Sequence, residues 1–453
     1  QQAEGWQLNP YEENSKTHEL EETGKVASTG FYANTVNQKF TFDATDKLSF
    51  YARGGYYDNK TRRPYEAYDY NILHETFNYG IGAQYMINKG NYITADCYAD
   101  HFSSSYCFFK DNKTYNGKAG EEQVRKRTRN HNLSIKGIFK LGNRHKLSVG
   151  TEYIVDVLKS QTDNIAKEDA YTLALFAQDE IKLLRNLQAL IGVRYIYHEN
   201  FKNHATPNVA LMYKPGKFNF RASYAAGFRT PTLSELYATD IAKKNDRLTI
   251  GNLDLKPEKN NYFSLSAEYV HERFSVSVNA FYNNIRDMID YNTIATGDKA
   301  MEQYGHKEVR QRDNIAEAKV HGINVSANAY LGAGFNLSGG YTHLNTQDVE
   351  LEQPIDKSIK NAYNINAQWA HSWKIYRLNI NLNGRFNSKR FSKSYGYAPE
   401  YQLWNLNTRH SFNLKSVIIE PGCGMENLFD YMDDRPYNSN YATLTPGRSF
   451  YIS

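Results

Sequence analysis

The sequence predicts an all-β protein: a transmembrane, antiparallel, up-and-down β-barrel of the 22-stranded class, of which about 19 strands are visible in this chain. Three observations support this fold class. Apolar and polar residues alternate along many segments, short polar turns alternate with long irregular stretches, and aromatic residues make up 14% of the chain, with 37 tyrosines. Alternation with period two indicates strands with two unlike faces, and tyrosine is the residue that membrane barrels use for their interfacial girdles.

The alternation is clearest in the segment FNFRASYAAGF, residues 218–228. Phe220 and Tyr224 share one face of this predicted strand, and Arg221 and Ser223 share the other. In a soluble sandwich the apolar face would contact a core, whereas in an outer-membrane barrel it contacts lipid and the polar face lines the lumen. Similar strands recur along the whole chain.

The connections favour the barrel over the sandwich. Short hairpin turns are predicted near residues 45–47, 88–90, 142–144, 214–216, 271–273 and 332–334. Longer stretches lie between the strand pairs, at about 59–75, 104–129, 229–259, 287–313, 347–358, 389–399 and 430–444. Short periplasmic turns and long extracellular loops are the two ends of an up-and-down barrel, whereas a sandwich has Greek-key connections.

Composition and motifs exclude several other classes. The formal net charge of +5 is too small to favour nucleic acid, and no apolar run approaches the roughly 18 residues of a membrane-spanning helix. The three cysteines give neither a disulfide framework nor a zinc pattern, and pairing of Cys97 with Cys107 stays open beside free thiols. Because no G-x-S-x-G, H-E-x-x-H or glycine-rich phosphate loop occurs, an enzyme is not predicted.

Two segments resemble the paired boxes of TonB-dependent outer-membrane receptors. They are YAAGFRTPTLSELY, residues 224–237, and IGNLDLKPEKNNYFSLSAEY, residues 250–269. A third, GMENLFDYMDDRPY at 424–437, resembles an element near the C-terminus of that family, while residues 5–10 and 445–453 look like further parts of it. The motif residues are Phe228, Arg229, Pro231, Asn252, Leu253, Asp254, Leu255, Asn427, Leu428 and Phe429. The style of the sequence resembles that of Bacteroidetes members.

This resemblance implies active import of a metal chelate across the outer membrane of a Gram-negative bacterium. A ferric siderophore or haem is the first expectation, vitamin B12 the alternative within the family, and a passive porin or a soluble adhesin the alternatives outside it. The family implies TonB as energy source, acting through a plug. Contacts with outer-membrane lipid, lipopolysaccharide and a surface lipoprotein are also expected, whereas the small net charge does not favour nucleic acid. Together with the odd strand count, the resemblance implies that residues 1–453 are a partial barrel, whose plug and first strands are outside this sequence. No metal-ligand spacing stands out among the residues, so no cofactor or metal of the protein's own is expected.

The candidate cargo-binding residues are aromatic residues and one arginine near the predicted extracellular loops. They are Tyr65, Tyr68, Tyr70, Tyr106, Phe108, Arg229, Tyr237, Tyr395 and Tyr397. Flat aromatic faces suit large planar or amphipathic chelates, although packing between loops is an alternative use of the same side chains. Arg229 is expected to anchor its loop or to contact cargo.

Two further features leave alternatives open. The loop between the boxes has no histidine, so a haem-ligating histidine is not predicted there, and Tyr237 remains a possible axial ligand. The basic run RKRTR, residues 125–129, is expected to face the phosphates of lipopolysaccharide at the outer rim, with capture of an anionic chelate as the alternative.

Overall fold

The computed structural model describes residues 2–3, 11–13, 19–22, 29–63, 68–242, 246–392, 396–414, 416–432 and 447–453. The first part of the chain contains thirteen strands: β1 (Gln2–Ala3), β2 (Tyr11–Glu13), β3 (Leu20–Glu22), β4 (Phe31–Thr45), β5 (Leu48–Thr61), β6 (Tyr70–Asn88), β7 (Asn91–Phe108), β8 (Glu122–Leu141), β9 (His145–Ser160), β10 (Ile165–Leu184), β11 (Leu187–His198), β12 (Lys202–Tyr213) and β13 (Phe218–Arg229).

The second part adds two short helices and fourteen strands. They are α1 (Leu233–Tyr237), β14 (Thr239–Ala242), β15 (Arg247–Ile250), β16 (Glu258–Val270), β17 (Phe274–Thr296), α2 (Gly297–Tyr304), β18 (Glu308–Gly332), β19 (Phe335–Asp348), β20 (Asn361–Trp373), β21 (Tyr376–Asn387), β22 (Arg390–Ser392), β23 (Gly396–Ala398), β24 (Tyr401–Leu414), β25 (Val417–Ile419), β26 (Gly422–Glu426) and β27 (Ser449–Ile452). In the described part of the chain, neither helix is long and apolar enough to cross a membrane.

The long strands form one 23-stranded sheet in which each strand pairs antiparallel with the next long strand in sequence. This confirms the predicted all-β, up-and-down arrangement. The sheet includes four short pieces, β1, β14, β15 and β25, that the prediction of about 19 strands did not count. Two small hairpins, β2 with β3 and β22 with β23, lie outside it.

The two faces of the sheet differ in chemistry as the alternation predicts. On one face, Phe220 and Leu265 expose 41% and 63% of their surface, and we call this the outward face. On the other, the lumen face, Ser223 and Ser264 join their hydroxyl groups at 2.7 Å across β13 and β16. Apolar side chains can remain uncovered on the outward face because lipid replaces water there.

Rows of aromatic rings mark the two ends of the apolar band. Near the short turns, Trp373 stacks on Tyr376 at 5.4 Å, and Tyr376 contacts Phe412 at 5.0 Å. Toward the long loops, Tyr341 stacks on Tyr363 at 4.6 Å on the same outward face. Such girdles lie at the two lipid–water interfaces of a membrane barrel.

Several extracellular loops are shorter than predicted because the strands continue into the residues that were predicted as loops. Half of the predicted loop at 104–129 is strand, since β7 extends to Phe108 and β8 begins at Glu122. Likewise, β17 runs to Thr296 and β18 begins at Glu308 inside the predicted loop 287–313. The ladder hydrogen bonds remain satisfied outside the membrane, so the strands do not need to end at its surface.

The cysteines are free thiols. Cys97 and Cys107 both lie on β7, ten residues apart. At about 3.3 Å per residue their separation is several times the Cα–Cα distance of a disulfide. The two residues therefore do not pair with each other.

Candidate functional site

A charged corner joins the two sequence boxes at the extracellular end of the sheet. The Arg229 guanidinium, at the last residue of β13, donates to both oxygens of Glu258, with Nε–Oε2 at 2.7 Å and Nη2–Oε1 at 2.6 Å. It also donates to Glu235 in α1, with Nη1–Oε2 at 3.0 Å. Glu258 is the first residue of β16, so a single arginine connects the strand before the loop, the loop helix and the strand after it.

Helix α1 is held at its N-terminus by a reciprocal cap. The Thr232 hydroxyl accepts a hydrogen bond from the backbone N–H of Glu235 at 3.2 Å, and the Glu235 carboxylate accepts one from the backbone N–H of Thr232 at 2.8 Å. Pro231, just before the cap, is buried. Burial is the largest influence on Glu235 and raises its pKa, but the hydrogen bonds from Arg229 and Thr232 outweigh burial and leave the pKa below its usual value.

The second box ties this loop to a neighbouring one. The Asn252 side-chain amide donates to the backbone carbonyl of Arg312 at 3.0 Å, and its Oδ1 accepts from the backbone N–H of Asp254 at 2.9 Å. Asn314 exchanges hydrogen bonds with the backbone of Lys256 at 2.7 and 2.8 Å. In addition, β15 pairs parallel with the start of β18. We call the resulting unit, residues 229–242, 246–257 and 287–313, the rim lobe.

The rim lobe has its own small apolar core. Leu236, Leu255 and Ile289 are buried together, and Phe201 and Tyr237 pack against them. Burial raises the pKa of the Tyr237 hydroxyl. The Tyr237 ring therefore covers a loop core. Leu253 of the second box, by contrast, exposes 66% of its surface, a difference that the motif alone does not reveal.

A second cluster of the predicted residues lies at the lumen mouth. Tyr70 stacks on Tyr106 at 4.0 Å between ring centroids, and Phe108 lies 5.6 Å from Tyr70. Tyr115 meets Tyr106 edge-on at 5.2 Å, and the Arg125 guanidinium lies over both of these rings, at 5.3 Å and 4.9 Å. We call Tyr70, Tyr106, Phe108, Tyr115 and Arg125 the mouth cluster.

Strand register places the mouth cluster on the lumen face. Tyr70 on β6 lies on the same face of the sheet as Asn78, and Tyr106 on β7 lies on the same face as Asp100. Asn78 and Asp100 are polar and pair directly across the two strands. Three of the candidates predicted in loops, Tyr70, Tyr106 and Phe108, thus belong to strand ends, because the ladder continues beyond the membrane. Phe108 is 3% exposed, and its ring packs against both Tyr70 and Tyr106.

An arginine that sequence reasoning did not single out individually completes the mouth. The register between β7 and β8 shifts between Ser104 and Ser105, and Arg125 is the residue left unpaired in β8. This bulge turns Arg125 toward the lumen, where its Nη1 donates to Gln161 at 2.8 Å. Its Nε is buried and has no hydrogen-bond partner among the described residues.

The mouth cluster and the rim lobe are connected. Lys126 lies 3.4 Å from the Asp163 carboxylate in the turn after β9, and that carboxylate accepts from the Ser234 hydroxyl of α1 at 3.1 Å. The backbone N–H of Thr239 donates to the Asp163 carbonyl at 2.8 Å. Asp163 therefore links Lys126, the residue that follows Arg125 on β8, to the helix that Arg229 holds.

Of the other candidates, Tyr68 lies beside this site and Tyr397 lies apart from it. Tyr68 exposes 41% of its surface, and the Arg63 guanidinium lies 4.4 Å from its ring and 5.0 Å from the ring of Tyr70. Tyr397, in the small hairpin of β22 and β23, exposes 57% and contacts Phe391 edge-on at 5.3 Å. Tyr65 and Tyr395 lie outside the described residues.

The remaining motif residues shape the outer wall. The Phe228 ring stacks on His204 at 4.1 Å. Asn427 is buried with a φ of 51°, and its side chain exchanges hydrogen bonds with the backbone of Tyr431 at 2.7 and 2.8 Å. Asparagine is one of the few residues that adopt this left-handed conformation readily. Leu428 donates its N–H to the Trp404 carbonyl at 2.6 Å, and Phe429 exposes 62% of its surface.

Within the described part of the chain, no group of three or more His, Cys, Asp or Glu side chains could hold a metal ion. The arrangement offers aromatic faces and guanidinium groups directed at the lumen. It can therefore bind a large ligand by stacking and by charge-assisted hydrogen bonds.

Comparison with known proteins agrees with this architecture. Residues 7–424 match the family described as TonB dependent receptor-like, beta-barrel. Among solved structures, the ferric enterobactin receptor PfeA from Pseudomonas aeruginosa superposes with a TM-score of 0.81 at 16% identity, covering 100% of this chain and 73% of that one. The siderophore receptor PirA from the same organism gives 0.71 at 16% identity, with 93% and 70% covered. The copper transporter OprC gives 0.74 at 11% identity, with 95% and 72% covered. At these identities the structural likeness concerns the fold.

Proposed function

The chain belongs to the TonB-dependent receptor β-barrel family of the Gram-negative outer membrane, and from this premise we propose that it imports a metal bound in an organic chelate. The family consists of transport receptors and implies interaction with TonB. The cargo class, the way in which cargo is held and any surface lipoprotein partner are parts of the proposal.

The mouth cluster is the observation that carries this proposal. Two stacked tyrosines and a third edge-on ring present aromatic surface at the entrance to the lumen, beneath a cation. Such a surface suits the aromatic or conjugated ligand groups of a large chelate better than it suits a bare, hydrated metal ion.

The charges at the mouth favour an anionic chelate. Arg125 keeps one buried donor without a partner in the described residues, and Arg63 stands over Tyr68 a short way along the rim. Guanidinium groups over aromatic rings bind planar anionic groups through paired hydrogen bonds and stacking. An anionic iron chelate therefore ranks before vitamin B12. Haem, whose propionates are also anionic, remains the alternative to a ferric siderophore.

The polar lumen wall below the mouth is suited to release. On β20 and β21 it carries a ladder of amides, in which Asn366 donates to Asn381 at 3.1 Å and Gln368 donates to Asn379 at 3.1 Å. Uncharged amides that satisfy one another hold an anion less strongly than guanidinium groups do. Cargo bound at the mouth would thus meet a weaker surface deeper in the lumen.

Binding of purified, full-length receptor to a ferric tricatecholate, to haemin and to cyanocobalamin tests the proposal. We expect quenching of tyrosine fluorescence by the ferric chelate at the lowest concentration, and no competition from excess free ferric ion. Tight binding of cyanocobalamin or haemin alone would transfer the function to that alternative. Uptake of chelate that persists in cells lacking TonB would contradict active import and favour a passive pore.

A further inference from the structure

We propose that the rim lobe is a gate, which opens along a seam in the barrel wall between the upper parts of β12 and β13. The seam runs along residues 203–207 and 226–229, where these two neighbouring strands share no hydrogen-bonded ladder. The opening itself does not depend on the cargo, and only its effect on uptake rests on the transport function proposed above.

The ladder between β12 and β13 ends partway up the wall. It consists of six residue pairs, of which the last toward the extracellular side is Asn208 with Ala225. Both strands continue above this pair: β12 stays paired with β11 up to Lys202, and β13 stays paired with β16 up to Arg229. Each strand is therefore regular above the ladder but unpaired on the side that faces the seam.

Pro207 explains why the ladder ends there. The N–H of Lys214, just after β12, donates toward β11, to the Asn186 carbonyl at 2.8 Å. Because N–H directions alternate along a strand, the odd-numbered residues of β12 direct theirs toward β13. Pro207 is the next such residue beyond the ladder, and it has no N–H to donate to Ala226 opposite it. Proline within a sheet is confined to edges of this kind.

Backbone groups on both sides of the seam remain unpaired with each other. By the same alternation, Ala205 faces the seam from β12, and Ala226 and Phe228 face it from β13. Among the described residues, no backbone hydrogen bond joins these three across the seam. Water at the lumen face can satisfy such groups, and segments whose hydrogen bonds are open to solvent separate at low cost.

Side-chain contacts close the seam instead of a ladder. The His204 ring stacks on Phe228 with 4.1 Å between centroids, and His204 Nε2 lies 2.9 Å from the Phe201 carbonyl oxygen. Above this stack, Phe201 packs against Leu236 and Leu255 in the core of the rim lobe. Apolar contacts are not directional, so they can release and form again more readily than a ladder can.

Hydrogen bonds to the turn after β9 latch the lobe on its other side. Asp163 accepts from the Ser234 hydroxyl at 3.1 Å and from the Thr239 N–H at 2.8 Å. Meanwhile, Arg229 joins the end of β13 to the lobe helix and to Glu258 on β16. When the latch and the ring stack release, the lobe and the upper part of β13 can therefore move together, away from β12.

Such a movement would widen the lumen mouth without unfolding the barrel. The ladder below Asn208 holds the two strands together at the base of the seam, so the base acts as the hinge. A rigid, bulky cargo could then pass a mouth that is narrower when the gate is closed. Gate movements of this kind occur on the microsecond to millisecond timescale.

Hydrogen exchange of the full-length receptor tests the seam. In the wild type, the amides of Ala205 and Ala226 should exchange faster than that of Leu211 in the ladder below. Pro207→Val supplies the missing donor and should slow exchange of Ala226 about tenfold, the effect of one added hydrogen bond. Pro215→Val, in the periplasmic turn of the same hairpin, is the matched control and should leave exchange at the seam unchanged. Protection of Ala205 and Ala226 equal to that of Leu211 in the wild type would overturn the proposal.

Electron–electron distance measurements test the movement. Spin labels are attached at Lys202→Cys and Leu253→Cys, two exposed positions on opposite sides of the seam, in receptor whose three native cysteines are serine. We expect a closed and an open distance population, and Pro207→Val should reduce the open one. A single narrow distance, the same with and without Pro207→Val, would overturn the gate.

A disulfide across the seam tests the role of the gate in uptake. Pro207→Cys/Ala226→Cys locks the seam when oxidised, whereas Leu211→Cys/Ala222→Cys joins paired residues of the existing ladder and is the control. The locked receptor should bind ferric tricatecholate like the wild type but import it about tenfold more slowly, because opening then limits passage. Reduction should restore the rate, and the control should import normally in both states.

Import at the wild-type rate by the locked receptor would overturn the gate. Folding of each variant is checked by its heat-dependent mobility in electrophoresis. Exchange and spin-label distances are measured without cargo, so that a failure of the gate remains distinct from a failure of the transport proposal.

Discussion

Arg229 and Glu258 form a two-bonded ion pair, at 2.7 and 2.6 Å, although 29 residues separate them in sequence. The pair closes the rim lobe at its base, where β13 ends and β16 begins. Its geometry matches the planar guanidinium fork to a carboxylate. The arginine of the first box thus acts on the loop conformation, and the second box supplies its partner.

Replacing this arginine should loosen the rim lobe without unfolding the barrel. We expect Arg229→Ala to destabilise the lobe by about 1–2 kcal/mol, a value kept low because the side chain is 43% exposed to solvent. Arg229→Lys should recover only part of this, since an ammonium cannot make the forked contact. Hydrogen exchange of residues 229–257 measures the effect. Arg221→Lys, whose nearest carboxylate oxygen is 3.6 Å away in Glu268, is the control. Equal protection in wild type and Arg229→Ala would contradict the anchoring role.

Acid should release the same lobe. Burial raises the pKa of Glu235 and of Glu258, but hydrogen bonds, those from Arg229 first, leave both pKa values below the usual 4.5. A carboxyl with a lowered folded-state pKa stabilises the fold above its unfolded pKa, and this stabilisation is lost as the pH falls through the folded-state value. Protection from exchange in the lobe should therefore hold at neutral pH and fall below about pH 4.5. Glu235→Gln should be less protected at pH 7 and less sensitive to acid, and an unaltered acid response would contradict this assignment.

The two faces of β13 should differ in their tolerance of charge. Phe220→Arg places a cation on the lipid side and should cost about 2–4 kcal/mol if it lies near the midplane, which impairs assembly in the outer membrane. Ser223→Arg faces the lumen and should assemble normally, although it removes the 2.7 Å contact with Ser264. The fraction of heat-modifiable receptor in outer-membrane preparations reports the result. Equal damage from both substitutions would contradict the face assignment.

Arg125 and Arg127 offer a matched pair for cargo binding because they are two residues apart on opposite faces of the wall. Arg125→Ala should weaken binding of an anionic ferric chelate about tenfold, since it removes a charge-assisted contact at the mouth. Arg127→Ala should leave chelate affinity unchanged. Titration of tyrosine fluorescence gives both affinities, and equal losses would show that only the net charge matters.

The exposed rings at the rim should contribute together. Tyr68→Ala and Tyr397→Ala should each weaken chelate binding modestly, since an aromatic contact adds about 0.5–1.5 kcal/mol. The double variant should weaken binding more than tenfold. Tyr363→Ala removes a ring of similar exposure from the outward face and serves as the control. Wild-type affinity in the double variant would place the cargo site away from these two rings.

Much of the fold was predictable from local pattern, and much of the site was not. The alternation along residues 218–228 predicted which side chains share a face, because side-chain direction in a strand depends only on parity. The same rule failed to separate the basic residues 125–129, because the bulge opposite Ser104 and Ser105 interrupts the parity there. Arg125 therefore faces the lumen, and Arg127 faces the outward side of the wall. A local pattern does not indicate such a bulge, since the position of the bulge depends on the register with the neighbouring strand.

The sequence by itself determined the class of fold, the position of the hairpins and the two chemistries that the wall separates. Tertiary structure alone decided which distant residues meet: Arg229 with Glu258, Tyr70 with Tyr106, and Lys126 with Asp163. The physical reason is the distance along the chain over which each kind of interaction acts. Periodicity and turn chemistry act over a few residues, whereas partners across strands are set by sheet register and by loops that pack on one another beyond the membrane.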